Sequence, residues 1–165
     1  MQNVVPARDK INQDILLAPS FHFWPVSPLA TFYTVENGNN FTFPGCDYIC
    51  WPTVAPSSVR LYPSDVISAW ENNNTFLMTT LKGGRIFQLT LNENGTALAR
   101  EPVELFRSEN RYHDVAFNPD GRTIYVITDS FGPVQAINGG ATEDLWNPGS
   151  VLVFRYEGNG SIIQS

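Results

Sequence analysis

The sequence predicts an all-β fold made of about two four-stranded antiparallel β-propeller blades. Three observations support it: from Thr31 onward the apolar residues alternate with a period of two, turn signals separate these runs, and one strand pattern occurs twice. A repeat of roughly 50 residues containing four short strands is typical of a propeller blade.

The first part of the chain, residues 1–30, has no such alternation. Residues 7–17 fit a short helix, after which three prolines prevent regular structure. We therefore expect an irregular N-terminal arm, followed by two C-terminal blades over residues 31–165. The arm also lacks the basic start and apolar middle of a secretion signal, as expected for a chain that begins in mid-domain.

The strands are predicted in chain order between turn signals such as Asn118-Pro-Asp-Gly121, a typical type I turn. They cover residues 31–35, 58–62, 75–81, 85–91, 103–106, 114–117, 123–128 and 150–156. In the repeat, residues 76–82 correspond to residues 124–130, and residues 84–95 correspond to residues 149–160. The first blade is complete in this prediction, whereas the second has no obvious fourth strand.

Composition narrows the classes of function. The 165 residues are 42% hydrophobic and carry a net charge of −6, and the ten basic residues are scattered, so a nucleic-acid partner is not expected. No apolar run approaches the roughly 20 residues that span a bilayer, so no membrane partner is expected. Charged residues make up only 16%, which favours an exported protein, periplasmic or secreted.

Three polar and aromatic stretches lie beside predicted strand ends. They contain Tyr48, Trp51 and Thr53, then Lys82 before two glycines, then Arg111 and His113. Aromatic faces and fixed cations suit a flat ring that bears carboxylates. Taken alone, the aromatics would be interpreted as core residues and the lysine as part of the solvated surface.

These stretches, residues 48–58, 80–84 and 110–114, resemble the C-terminal part of soluble quinoprotein sugar dehydrogenases of the glucose/sorbosone dehydrogenase family. The resemblance runs from about Thr31 to Tyr156. It implies a six-bladed propeller, of which this chain holds the last two blades, with the missing last strand donated from the N-terminus. It also implies oxidation of aldose sugars, of the glucose to gluconolactone type, by hydride transfer to pyrroloquinoline quinone (PQQ).

The resemblance further implies roles for individual residues. Trp51 would stack near the quinone ring, Tyr48 and Thr53 would hydrogen-bond its rim, and Lys82 and Arg111 would bind its carboxylates. A second arginine of the family pattern is replaced here by His113, which we include among the cofactor-binding residues. The family's catalytic base and calcium ligands belong to upstream motifs, so no catalytic or metal residue is assigned and the isolated chain is expected to be inactive.

The two cysteines, Cys46 and Cys50, fit a local disulfide, a metal site or two buried thiols. The family's disulfide near the Trp-Pro-Thr motif supports the first of these, although here the loop is shorter and Cys46 is displaced.

Two blades cannot close a ring, which normally takes about 4–8. The expected partners are therefore the remaining N-terminal blades, or further copies of the chain, since three two-bladed copies would make six blades. The resemblance adds a sugar substrate. Other functions stay open: a non-enzymatic propeller module that binds carbohydrate or protein, and an inactive truncated product.

Overall fold

The computed structural model describes residues 28–33, 53–63 and 74–158, together with the backbone of a last strand at 162–164. The elements within these ranges are strands, without a helix. Nothing in this part of the chain forms a helix long and apolar enough to cross a membrane. Most of the predicted N-terminal arm lies outside the described residues.

The first sheet has four antiparallel strands in the order β1-β2-β3-β4. These are β1 (Pro56–Leu61), β2 (Thr75–Thr80), β3 (Ile86–Thr90) and β4 (Val103–Leu105). Side chains alternate between the two faces of a strand. In β2, Leu77 and the following Met78 therefore lie on opposite faces, and both are buried because this sheet is covered on each side.

The second sheet is also antiparallel and four-stranded, and its connection between the second and third strands contains an additional hairpin. The strands are β5 (Tyr112–Phe117), β6 (Thr123–Thr128), the hairpin strands β7 (Val134–Gln135) and β8 (Ala141–Thr142), then β9 (Val151–Tyr156) and β10 (Ile162–Gln164). The order in the sheet is β10-β9-β6-β5. Residues 129–150 thus join β6 to β9, whereas residues 81–85 suffice to join β2 to β3.

The prediction of an all-β fold with two four-stranded blades is confirmed. The expectation that the second blade lacks its own fourth strand is wrong, because β10 pairs with β9, with Ile162 opposite Tyr156. This position in the second blade is therefore filled from within the chain and not by a donated strand. Three residues near the end of the sequence are too few to show an alternating pattern, so β10 could not be recognised.

The main core lies between the two sheets. It consists of Tyr62, Leu77, Ile86, Tyr112, Val115, Ile124, Val126, Leu152 and Phe154. Phe106 stacks on Phe154 with ring centroids 4.0 Å apart, and Tyr62 meets Phe117 edge to face at 5.2 Å. This packing fixes the two blades side by side.

The outer faces of the two sheets differ. On the first sheet, Phe32 covers Phe87, with ring centroids 4.8 Å apart. On the second, the alternation of β6 and β9 turns Tyr125, Ile127 and Val151 outward, and they are 39%, 47% and 61% exposed. The second sheet therefore presents an apolar outer face.

Candidate functional site

Loops at one end of the two sheets carry the described residues of the predicted site. Thr53 precedes β1, Lys82 follows β2, Arg111 directly precedes β5, and His113 is the second residue of β5. These strand ends touch, because the Thr79 hydroxyl donates to the carbonyl of His113 at 3.2 Å. The folding of both blades thus brings these four residues to a common edge.

The backbone around Lys82 is fixed by the segment before β1. The amides of Lys82 and Gly83 both donate to the carbonyl of Val54, at 3.1 and 2.9 Å. The Thr53 hydroxyl accepts the amide of Ala55 at 3.0 Å, which stabilises the same turn. Lys82 is only 4% exposed, so the alternative of a solvated surface lysine is excluded.

The backbone conformation and packing at position 84, two residues after Lys82, require a glycine. Gly84 has a φ of +63°, and a Cβ there would lie 2.4 Å from the carbonyl oxygen of Ser108. In return, the Ser108 amide donates to the Gly84 carbonyl at 2.9 Å. Only glycine permits this approach, which holds the Lys82 loop against the segment that leads into β5.

The side chain of Arg111 is buried, with the residue 7% exposed. Its Nη1 donates to the carbonyl of Pro133 at 2.6 Å and its Nη2 to Oδ2 of Asp129 at 3.2 Å. Among the described residues its Nε has no acceptor. A guanidinium has five N–H donors, so this group retains more donors than the surrounding protein satisfies.

The carboxylate of Asp129 is shared. Its Oδ1 lies 2.7 Å from Nδ1 of His113, while its Oδ2 accepts from Arg111. The side chain of His113 is 58% exposed, whereas that of Asp129 is 25% exposed. One acidic group therefore holds a buried cation and an exposed imidazole side by side.

The loop that contacts Arg111 also reaches Lys82. Pro133 accepts from the guanidinium, and two residues later the amide of Gln135 donates to the Lys82 carbonyl at 2.8 Å. The inserted connection of residues 129–150 therefore joins the two predicted cofactor cations, although one belongs to each blade.

Arg85 is a buried cation beside the candidate site that sequence reasoning missed. It is 6% exposed, its Nε donates to the Gly83 carbonyl at 2.8 Å, and its Nη1 lies 2.5 Å from Oε1 of Glu104. Its Nη2 donates to Oε1 of Gln135. A basic residue directly after Lys82-Gly-Gly was the available signal, but its partner Gln135 is distant in sequence.

Asp114, the residue after His113, carries a carboxylate that forms an ion pair between the two sheets. A hydrogen bond from Arg60 lowers the pKa of Asp114 to about 2, with a further contribution from Ser58. Nη2 of Arg60 lies 3.1 Å from Oδ2 of Asp114. The pair joins β1 to β5, the neighbouring strands of the two blades, so this carboxylate has a role in docking.

Tyr48, Trp51, Cys46 and Cys50 lie outside the described residues, so the stacking, hydrogen-bonding and disulfide roles expected for them stay predictions. Within the described ranges, no three or more His, Cys, Asp or Glu side chains are grouped so that they could hold a metal ion.

Comparison with known proteins gives one family and one curated relative. The family model for glucose/sorbosone dehydrogenases matches residues 9–135. A protein named quinoprotein glucose dehydrogenase B, from Acinetobacter calcoaceticus, is 44% identical over 137 residues. The matched region covers 80% of this chain but only 28% of that relative.

Proposed function

Because the chain belongs to the glucose/sorbosone dehydrogenase family, we propose that it forms the cofactor-binding edge of a PQQ-dependent sugar dehydrogenase. The relative is a quinoprotein by name, and the resemblance in the Lys82 and Arg111 motifs supports the same cofactor. The proposed substrate is an aldose sugar, and the proposed location is the periplasm or the cell exterior.

The buried guanidinium of Arg111 is the observation on which this proposal rests. It has two acceptors among the described residues and an unpaired Nε, in a position where desolvation makes unsatisfied donors costly. An anion with several carboxylates is the kind of ligand that fits such a surplus, because arginine binds planar carboxylates through paired N–H groups. The donor set therefore fits PQQ.

Each residue has a limited task in this proposal. Lys82 and Arg111 bind carboxylates and fix the orientation of the ring, Thr53 and Tyr48 hydrogen-bond its edge, Trp51 stacks on it, and His113 adds one further donor. When bound, PQQ supplies the acceptor for the hydride that leaves the sugar. The base that takes the sugar hydroxyl proton and the calcium ligands are proposed to lie on other blades, so this chain alone is expected not to turn over.

The apolar outer face of the second sheet supports the remaining blades as partners. Tyr125, Ile127 and Val151 project from it into solvent. A propeller blade buries both faces against its neighbours, and the matched region is just over a quarter of the relative's length. We therefore propose a further blade of the same enzyme as the occupant of this face, with another copy of the chain as the alternative.

Equilibrium binding of PQQ to the full-length protein tests the proposal. Arg111→Ala should weaken binding by about 1.5–3 kcal/mol, or about 10–150-fold, the usual contribution of a charged hydrogen bond. Arg155→Ala removes an exposed arginine of β9 and serves as the matched control. If the native protein does not bind PQQ, or if both variants bind it equally well, the proposed function is wrong.

A further inference from the structure

We propose that Asp129 is a positioning residue that orients Arg111 and His113 together as one anion-binding unit. The inference depends on the proposed function, since the anion in question is the PQQ carboxylate. It concerns a side chain that the site motifs do not contain: Asp129 lies in the inserted connection after β6.

The backbone of Asp129 is fixed on both sides. Its amide donates to the carbonyl of Arg111 at 2.9 Å, and its own carbonyl accepts the Gly149 amide at 3.0 Å. The residue is therefore tied to the start of β5 and to the end of its own loop. The carboxylate is presented from a rigid support, which reduces the entropy lost when it holds its partners.

Both oxygens of the carboxylate have a partner. Oδ2 accepts from Nη2 of Arg111, and Oδ1 pairs with Nδ1 of His113. Because these positions are taken, the carboxylate itself is not the group that meets the cofactor. Its effect is to decide which N–H groups of the guanidinium and which nitrogen of the imidazole remain for a ligand.

Without this carboxylate, one hydrogen bond from the described part of the chain, to the Pro133 carbonyl, would be left to hold the guanidinium. An asparagine keeps the shape but has one oxygen and one NH₂ group. Its oxygen can accept from Arg111 while its NH₂ group donates to Nδ1 of His113, which requires the imidazole tautomer with the proton on Nε2. Alternatively, its oxygen accepts from His113 and its NH₂ group faces the donors of Arg111. Asp129→Asn should therefore either change the His113 tautomer or release Arg111, and in both cases it removes the charge that strengthens the Arg111 hydrogen bond, without creating a cavity.

The experiment measures PQQ affinity of the full-length protein by equilibrium titration. We expect Asp129→Asn to lower the affinity about tenfold or more, by loss of charged hydrogen bonds. Asp144→Asn removes the same charge from an exposed residue of the same loop and should leave the affinity unchanged. The unfolding midpoint of the cofactor-free protein shows whether either substitution acts through folding, and Asp129→Ala provides a second variant if the asparagine protein is unstable.

A double-mutant cycle separates positioning from general stability. If Asp129 acts through Arg111, then Asp129→Asn should have much less effect on PQQ affinity in an Arg111→Ala background, because coupled residues are not additive. Equal effects in both backgrounds, or equal affinities for the Asp129→Asn and Asp144→Asn proteins, would overturn the positioning role. A native protein that does not bind PQQ would instead overturn the proposed function and this inference with it.

Discussion

A methyl group added at position 132 should disturb the proposed cofactor site directly. Gly132 has a φ of +109°, and a Cβ there would lie 3.0 Å from Cζ of Arg111 and 3.1 Å from its Nε. The guanidinium cannot easily retreat, because Pro133 and Asp129 hold it from other directions. Gly132→Ala should therefore displace Arg111 and weaken the binding of PQQ.

Two costs add in this variant. Any L residue at such a φ has a strained backbone, which costs about 1–3 kcal/mol of stability. Displacing the guanidinium also weakens its charged hydrogen bonds, each of which contributes about 1.5–3 kcal/mol. Because the same guanidinium is proposed to bind the cofactor carboxylates, we expect PQQ affinity to fall by about tenfold or more.

Gly139→Ala is the matched control, since Gly139 has a φ of +92° but nothing within 4 Å of an added Cβ. It should show the backbone cost without a change in PQQ affinity. Urea denaturation of the cofactor-free protein measures the first quantity and a PQQ titration the second. If the two alanine variants lose stability equally and bind PQQ equally well, the steric argument for Arg111 fails.

Two further predictions concern other parts of the molecule. His113→Arg puts a permanent cation in place of a group that is charged only when it is protonated. This substitution should raise PQQ affinity by several-fold at pH 7, and an unchanged or lower affinity in titration would contradict this. Burial raises the pKa of Tyr62 to about 12, and its hydroxyl donates to the Gly121 carbonyl at 2.8 Å. The protonated phenol is thus favoured in the folded state, so this contribution to stability is complete below about pH 10 and is lost as the pH rises through about 12. Tyr62→Phe should cost about 1–3 kcal/mol at pH 7 by leaving that carbonyl unsatisfied and should reduce the loss between pH 10 and 12; denaturation curves that fall equally for both proteins in that range would refute the assignment.

The predicted strands after residue 57 are found in the structure within about two residues, because each long strand alternates or carries a continuous apolar run. The turn ending in Gly121 is likewise present, with the Gly121 amide donating to Asn118 at 2.9 Å. The two-residue strands β7 and β8 were missed for the same reason as β10. Their hydrogen bonds are set by the loop around them and leave no periodic signal.

The site was predictable in part. Lys82 and Arg111 could be placed at strand ends from local pattern. They belong to different sheets, however, and it is the docking of the two sheets, with the Thr79 hydroxyl donating to the His113 carbonyl, that brings those ends together. The contacts of Arg111 with Asp129 and Pro133 could not be derived, because these residues are far from Arg111 in sequence. Nothing local to Arg85 indicates that its side chain would bind Gln135, fifty positions away.

The long connection between β6 and β9 has a thermodynamic consequence. Lys82 belongs to one blade and Arg111 to the other, and the loop at 133–135 bonds to both. An anion held by both cations would therefore be bound only while the blades are docked. By linkage it would stabilise that docking by RT ln(1 + [L]/Kd), or about 2.7 kcal/mol at a hundred times Kd. In such a protein the cofactor would act as a reversible crosslink, and its concentration would set how often the two blades separate.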